Sequence, residues 1–126
     1  MTEAAIYQGI MGLVTDGSVR DTDEISQMGF PIFSAGISIK GTTKTRLGTI
    51  NHPLVFSGIA VNPGDLITAD SDGVLVIARK DVPDVMQMAI QREKKEKKVA
   101  RQIKSGMTTL EIYGFSRILE NLGLKE

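Results

Sequence analysis

The segment Gly17-Ser18-Val19-Arg20-Asp21 sets a guanidinium directly beside a carboxylate. Arg20 can clamp a carboxylate or an α-keto oxygen with its planar fork of N–H donors, and Asp21 can offer a hard oxygen to magnesium. A plainer role fits the residue types alone better: Asp21 caps the helix that follows, and Arg20 makes a surface ion pair. If Thr22 takes the cap instead, Asp21 is released for a ligand.

Further along, Glu93 and Glu96 fall on the apolar stripe of a long helical segment, away from the centre of the Lys94, Lys95, Lys97 and Lys98 face. A carboxylate aimed at a packed surface needs a cation, a metal-bound water or an Arg of another subunit. Equally, the helix can overrun the domain here, leaving both carboxylates solvated or paired with lysines one turn away. Arg92 to Arg101 holds six basic and two acidic residues but no aromatic one, which describes a solvated helix face and not a base-stacking surface.

Several other motifs fail on inspection. Gly36-Ile-Ser-Ile-Lys-Gly41-Thr42 departs from a phosphate loop where Thr42 replaces the required Lys. Asp70-Ser71-Asp72-Gly73 starts like a calcium loop, but its Gly comes too early and an apolar strand follows, so it reads as a turn. His52, the single histidine, precedes Pro53 and reads as a strand-edge residue.

The positioning elements follow from pattern. Ile10 to Thr15 is an apolar run that Asp16-Gly17 should stop, the signature of a buried strand entering a tight turn. Thr22 to Met28 suits a short helix, capped by Asp21 or Thr22 with Glu24 reaching back and Gly29 as its stop. Strand signals cover Phe30 to Ile39, then His52 to Val61, Leu66 to Ala69 and Val74 to Ala78, with Gly41 to Gly48 as a loop. Asn62-Pro63-Gly64-Asp65 has type II turn chemistry. Pro83 to about Ser105 reads as one long helix whose Val82, Met86, Ala89, Glu93, Glu96, Ala100 and Ile103 share a face, and Thr108 or Thr109 starts a final helix.

Composition narrows the function. Fifteen acidic residues balance fifteen basic ones, so the broad attraction used in non-specific nucleic-acid binding is missing. The absence of cysteine removes disulfides, thiolate nucleophiles and zinc-thiolate sites. With no leader pattern and no membrane-length apolar stretch, the expectation is a cytoplasmic protein without membrane or nucleic-acid partners.

Taken in order, Gly12-Leu13-Val14-Thr15-Asp16-Gly17-Ser18-Val19-Arg20-Asp21, Gly29-Phe30-Pro31-Ile32-Phe33-Ser34-Ala35-Gly36, Val61-Asn62-Pro63-Gly64-Asp65-Leu66, Ala69-Asp70-Ser71-Asp72-Gly73-Val74 and Arg92-Glu93-Lys94-Lys95-Glu96 resemble the RraA-like family. That family includes 4-hydroxy-4-methyl-2-oxoglutarate aldolases and regulators of ribonuclease E. The resemblance implies an α/β fold of the swivelling β/β/α type and a single domain over residues 1–126, the C-terminal two thirds of the usual family domain. It also implies homo-trimers or hexamers and a Mg2+- or Mn2+-dependent retro-aldol cleavage yielding pyruvate, with oxaloacetate decarboxylation as a side activity. Arg20 would hold the α-keto acid substrate and stabilise its enolate. Asp21 would bind the metal, and Glu96 would reach it through water from a neighbouring subunit.

One departure concerns the family's Gly-x-Leu loop, whose backbone grips the substrate carboxylate. Counting back from Arg20 puts it before Met1, so the expectation is a domain without its N-terminal part. Either a separate chain supplies the loop or the chain is an inactive remnant. A non-catalytic regulator of ribonuclease activity is the rival function. Methyl transfer is excluded by the lack of a Gly-rich strand-to-helix turn followed by an acidic residue.

Overall fold

The computed structural model describes residues 1–43 and 45–123. It is an α/β protein that divides into two compact units, Met1–Arg79 and Lys80–Glu126.

The first unit opens with helix α1 (Thr2–Tyr7), which the sequence reading did not anticipate. Strand β1 (Leu13–Val19) leads to helix α2 (Thr22–Gln27) and strand β2 (Ile32–Ile37), a right-sized β-α-β step in which β1 and β2 pair in parallel. The expected stop at Asp16-Gly17 does not occur. Thr15 pairs with Ser34 and Ser18 with Gly36, so β1 spends one residue more than β2, and the strand absorbs Asp16-Gly17 as a bulge. Gly17 N–H donates to Thr15 Oγ1 at 3.1 Å, which gives the displaced backbone a partner. Helix α2 stops at Gly29, whose φ of 66° is open to glycine at little cost.

Between Leu54 and Val61 the expected single run is a hairpin: β3 (Leu54–Phe56) pairs antiparallel with β4 (Ile59–Val61). Ser57 and Gly58 both have positive φ, 47° and 84°, as a two-residue turn of the primed kind requires. Strands β5 (Leu66–Asp70) and β6 (Gly73–Ile77) form a second hairpin. Asp70 Oδ1 accepts the Asp72 N–H at 2.9 Å, so Asp70-Ser71-Asp72-Gly73 is a turn. The Asn62-Pro63-Gly64-Asp65 turn is tied by Asp65, whose carboxylate accepts the N–H of Asn62 at 2.8 Å and of Arg79 at 3.1 Å. These two backbone donors, Asn62 first, hold the Asp65 carboxyl below the usual carboxylate range. In the Gly41 to Gly48 stretch no regular element occurs among the described residues, and Lys44 lies outside them.

The second unit is helical. Helix α3 (Val82–Lys104) carries Pro83 in its first turn. Its half-buried positions are Val82, Val85, Val99 and Gln102, while Met86 and Ile103 of the expected stripe are 49% and 47% exposed. The expected final helix is two: α4 (Thr109–Tyr113) and α5 (Ser116–Asn121), parted at Gly114, whose φ is 65°. Thr108 forms a reciprocal capping box with Glu111. The Thr108 backbone N–H, then its hydroxyl, hold the Glu111 carboxyl below its usual range.

No described helix is long and apolar enough to cross a membrane. Among the described residues Phe30 alone is buried, at 8% exposure.

Candidate active site

The Arg20-Asp21 pair sits at the corner between β1 and α2. Its placement is a backbone matter first. Asp21 occupies the N-cap position with φ 59° and ψ 40°, a left-handed conformation that Asp tolerates better than most residues, and its carbonyl accepts the Ile25 N–H at 3.1 Å. In that conformation its side chain makes no cap hydrogen bond. Neither expected cap is therefore realised: Asp21 holds the position without using its carboxylate, and Thr22 is already the first residue of the helix. The freed carboxylate lies 3.4 Å from the Arg20 Nε, with side-chain exposures of 59% for Arg20 and 64% for Asp21. The corner thus presents a guanidinium and a carboxylate side by side in solvent.

A single exposed carboxylate suits magnesium, which keeps most of its own waters and is often held by one or two carboxylates. Asp21 fits that role as a lone protein oxygen. A multi-ligand cage does not form within this chain, since among the described residues no group of three or more His, Asp or Glu side chains converges. A shallow depression of about 490 Å³ in the same unit is lined by Thr15, Asp16, Ser34, Asp70 and Asp72 among others, and its carboxylates form no such group either. Sequence spacing does not single out this depression, because the β1 and β2 residues and the Asp70-Gly73 turn that line it meet only in the folded unit.

Glu96 lies in the second unit on α3, where its Oε1 accepts from Arg92 Nε at 2.8 Å, and Glu93 accepts from Lys97. Both carboxylates are well exposed and paired one helical turn away. Of the two readings open for these residues, this single chain displays the solvated, paired one. The Lys97 hydrogen bond, reinforced by its charge, holds the Glu93 carboxyl below its usual range.

The chain that carries this corner is similar to known proteins. A model of the RraA-like family, described as Aldolase/RraA, matches residues 1–76. A Halalkalibacterium halodurans protein provisionally named 4-hydroxy-4-methyl-2-oxoglutarate aldolase is 36% identical over 105 residues, covering 83% of this chain and 50% of that one. An uncharacterized protein of Methanocaldococcus jannaschii is 34% identical over 102 residues, covering 81% of this chain and 49% of that one. A crystal structure of an uncharacterized Pseudomonas syringae protein superposes with a TM-score of 0.79 at 34% identity, over 86% of this chain and 55% of that one. The chain belongs to the RraA-like family. It spans about half the length of the Halalkalibacterium halodurans and Methanocaldococcus jannaschii relatives.

Proposed function

We propose that the chain is part of a divalent-metal-dependent pyruvate aldolase, cleaving substrates of the 4-hydroxy-4-methyl-2-oxoglutarate type and decarboxylating oxaloacetate as a side activity. The observation that carries the reading is the β1–α2 corner, where the left-handed Asp21 backbone withholds its carboxylate from capping and leaves it beside Arg20 in solvent. Both reactions produce pyruvate enolate. The Arg20 guanidinium orients the α-keto acid through paired donors and stabilises the negative charge that develops on its oxygen as the carbon–carbon bond breaks. Asp21 would hold Mg2+ or Mn2+, which when bound supplies Lewis-acid polarisation of that same oxygen. In a homo-trimer or hexamer, Glu96 of a neighbouring copy would reach the metal's water shell. The substrate carboxylate would be gripped by a Gly-x-Leu loop of the kind the family carries, and the assembly would work in the cytoplasm.

The test is pyruvate release from oxaloacetate with magnesium or manganese. Asp21→Ala should abolish it and Arg20→Lys should reduce it strongly, because a point charge does not replace a planar fork. Activity that survives Asp21→Ala would remove Asp21 from the site, whereas wild-type protein with no turnover would remove the enzyme reading and leave the rival one, a non-catalytic regulator of ribonuclease activity acting through its surface.

A further inference from the structure

Between Thr15 and Ser18, β1 carries one residue more than the stretch of β2 from Ser34 to Gly36 that faces it, and neither Asp16 nor Gly17 pairs with β2. An extra residue bends its strand and re-aims the side chains that follow. Those that follow here are Val19, Arg20 and Asp21, so the direction in which the corner presents its guanidinium and carboxylate is set upstream, at the bulge. A stretch of strand without ladder partners needs another restraint to hold one bend.

Hydroxyls on both strands supply it. Thr15 and Ser34 face each other in the register. Thr15 Oγ1 accepts the Gly17 N–H at 3.1 Å, and Ser34 Oγ donates to the Gly36 carbonyl at 3.1 Å. Each hydroxyl thus ties backbone two residues further along its own strand. Both residues are half-buried while Asp16, Gly17 and Ser18 are exposed, so an exposed bulge is anchored from the better-packed position before it. The glycines leave room for this: a Cβ on Gly17 would lie 3.3 Å from Thr15 Oγ1, and one on Gly36 would lie 3.3 Å from Ser18 Oγ.

We propose that Thr15 is a positioning residue for the Arg20-Asp21 site, with Ser34 bracing the opposite strand; it acts through the backbone and not on the substrate. The proposal deepens the aldolase reading and rests on it for the chemistry of the pair, but not for the geometry. A guanidinium stabilises an enolate oxygen only along its own donor directions, and a displacement of roughly 1 Å can cost on the order of a hundredfold in rate. A hydroxyl that merely satisfies a local N–H would lower stability when lost and leave the corner where it is.

The test uses the full chain and three variants. Thr15→Val keeps the branched shape and removes the acceptor, Thr15→Ser keeps the acceptor and removes the methyl group, and Ser34→Ala removes the opposite tie. Nuclear magnetic resonance of the backbone amides and the Arg20 Nε–H needs no turnover. Thr15→Val should move the Gly17, Arg20 and Asp21 signals, Ser34→Ala should add to that shift when combined with it, and Thr15→Ser should return Arg20 and Asp21 close to their parent positions. In oxaloacetate decarboxylation with magnesium, Thr15→Val should lower kcat roughly ten- to hundredfold with KM changed less than about threefold, and Thr15→Ser should recover most of the loss. Arg20 and Asp21 signals unmoved by Thr15→Val would overturn the proposal. So would an active parent whose kcat is indifferent to Thr15→Val, or a serine variant as impaired as the valine one, which would place the effect in packing of the methyl group. A parent without turnover would sink the aldolase reading alone, and the signals of Arg20 and Asp21 would then decide the proposal by themselves.

Discussion

Replacing Asp21 by glycine and by alanine separates its backbone role from its carboxylate. A non-glycine residue in the left-handed region costs of order 1–3 kcal/mol, with Asp near the low end, so glycine at this φ of 59° recovers about 1 kcal/mol. Against that, glycine loses about 0.5–1 kcal/mol of chain entropy. The Arg20 pair, solvent-screened at 3.4 Å with both partners more than half exposed, is worth a few tenths of a kcal/mol at most. No cap hydrogen bond is lost, because none is made. Asp21→Gly should therefore lie within about 0.5 kcal/mol of the parent, while Asp21→Ala, which keeps the steric cost without the polar side chain that eases it, should fall about 1 kcal/mol below. With a urea dependence of about 1–3 kcal/mol per molar, the alanine midpoint should drop by roughly 0.3–1 M by circular dichroism. Both variants should lose oxaloacetate decarboxylation. An alanine variant as stable as the glycine one would refute the left-handed backbone, and a decarboxylating glycine variant would refute the carboxylate's role.

Other expectations are simpler. Thr108→Ala should weaken helix α4 by about 1 kcal/mol, read as faster exchange over Thr109–Tyr113. Because the Glu111 carboxyl is held below its usual range, its cap adds stability that is complete above the ordinary carboxylate pKa and drains as pH falls through the lowered folded value; Glu111→Gln should remove that acid sensitivity, and Thr108→Ala, which keeps the backbone donor, should lessen it only in part. The Asp65 carboxyl is depressed in the same sense by the Asn62 and Arg79 N–H groups, so Asp65→Asn should lower the thermal midpoint at neutral pH and leave it closer to the parent in acid. Glu96→Gln should change stability by no more than about 0.5 kcal/mol, yet raise the magnesium concentration needed for decarboxylation; an unchanged magnesium requirement would reduce Glu96 to its pairing with Arg92.

How much of this could be read in advance differs by element. Gly29, Pro83 and the Asn62-Pro63-Gly64-Asp65 turn announce their roles because each restricts the backbone locally, and each falls where local chemistry puts it. Ser57-Gly58 carried the same kind of signal, but apolar residues on both sides masked it, and eight residues of strand character looked like one strand. Gly114 was likewise submerged in a helical pattern. The β1 bulge was not legible at all, because an extra residue is defined only by pairing with β2. At the site, the adjacency of Arg20 and Asp21 is written in the sequence, whereas the release of Asp21 from capping depends on one backbone angle that residue types do not set. The half-buried stripe of α3 lies one residue away from the expected one at Val85, Val99 and Gln102, since periodicity fixes spacing and not which side meets a neighbour.

The bulge in β1 also bears on how such a chain evolves. Deleting Gly17 would leave every other β1–β2 partner in place and turn the pair into an uninterrupted ladder. The shorter strand would be straighter, and it would deliver Arg20 and Asp21 without the bend that a bulge imposes. Retention or loss of that residue among descendants would track whether the bent approach to the corner matters to them.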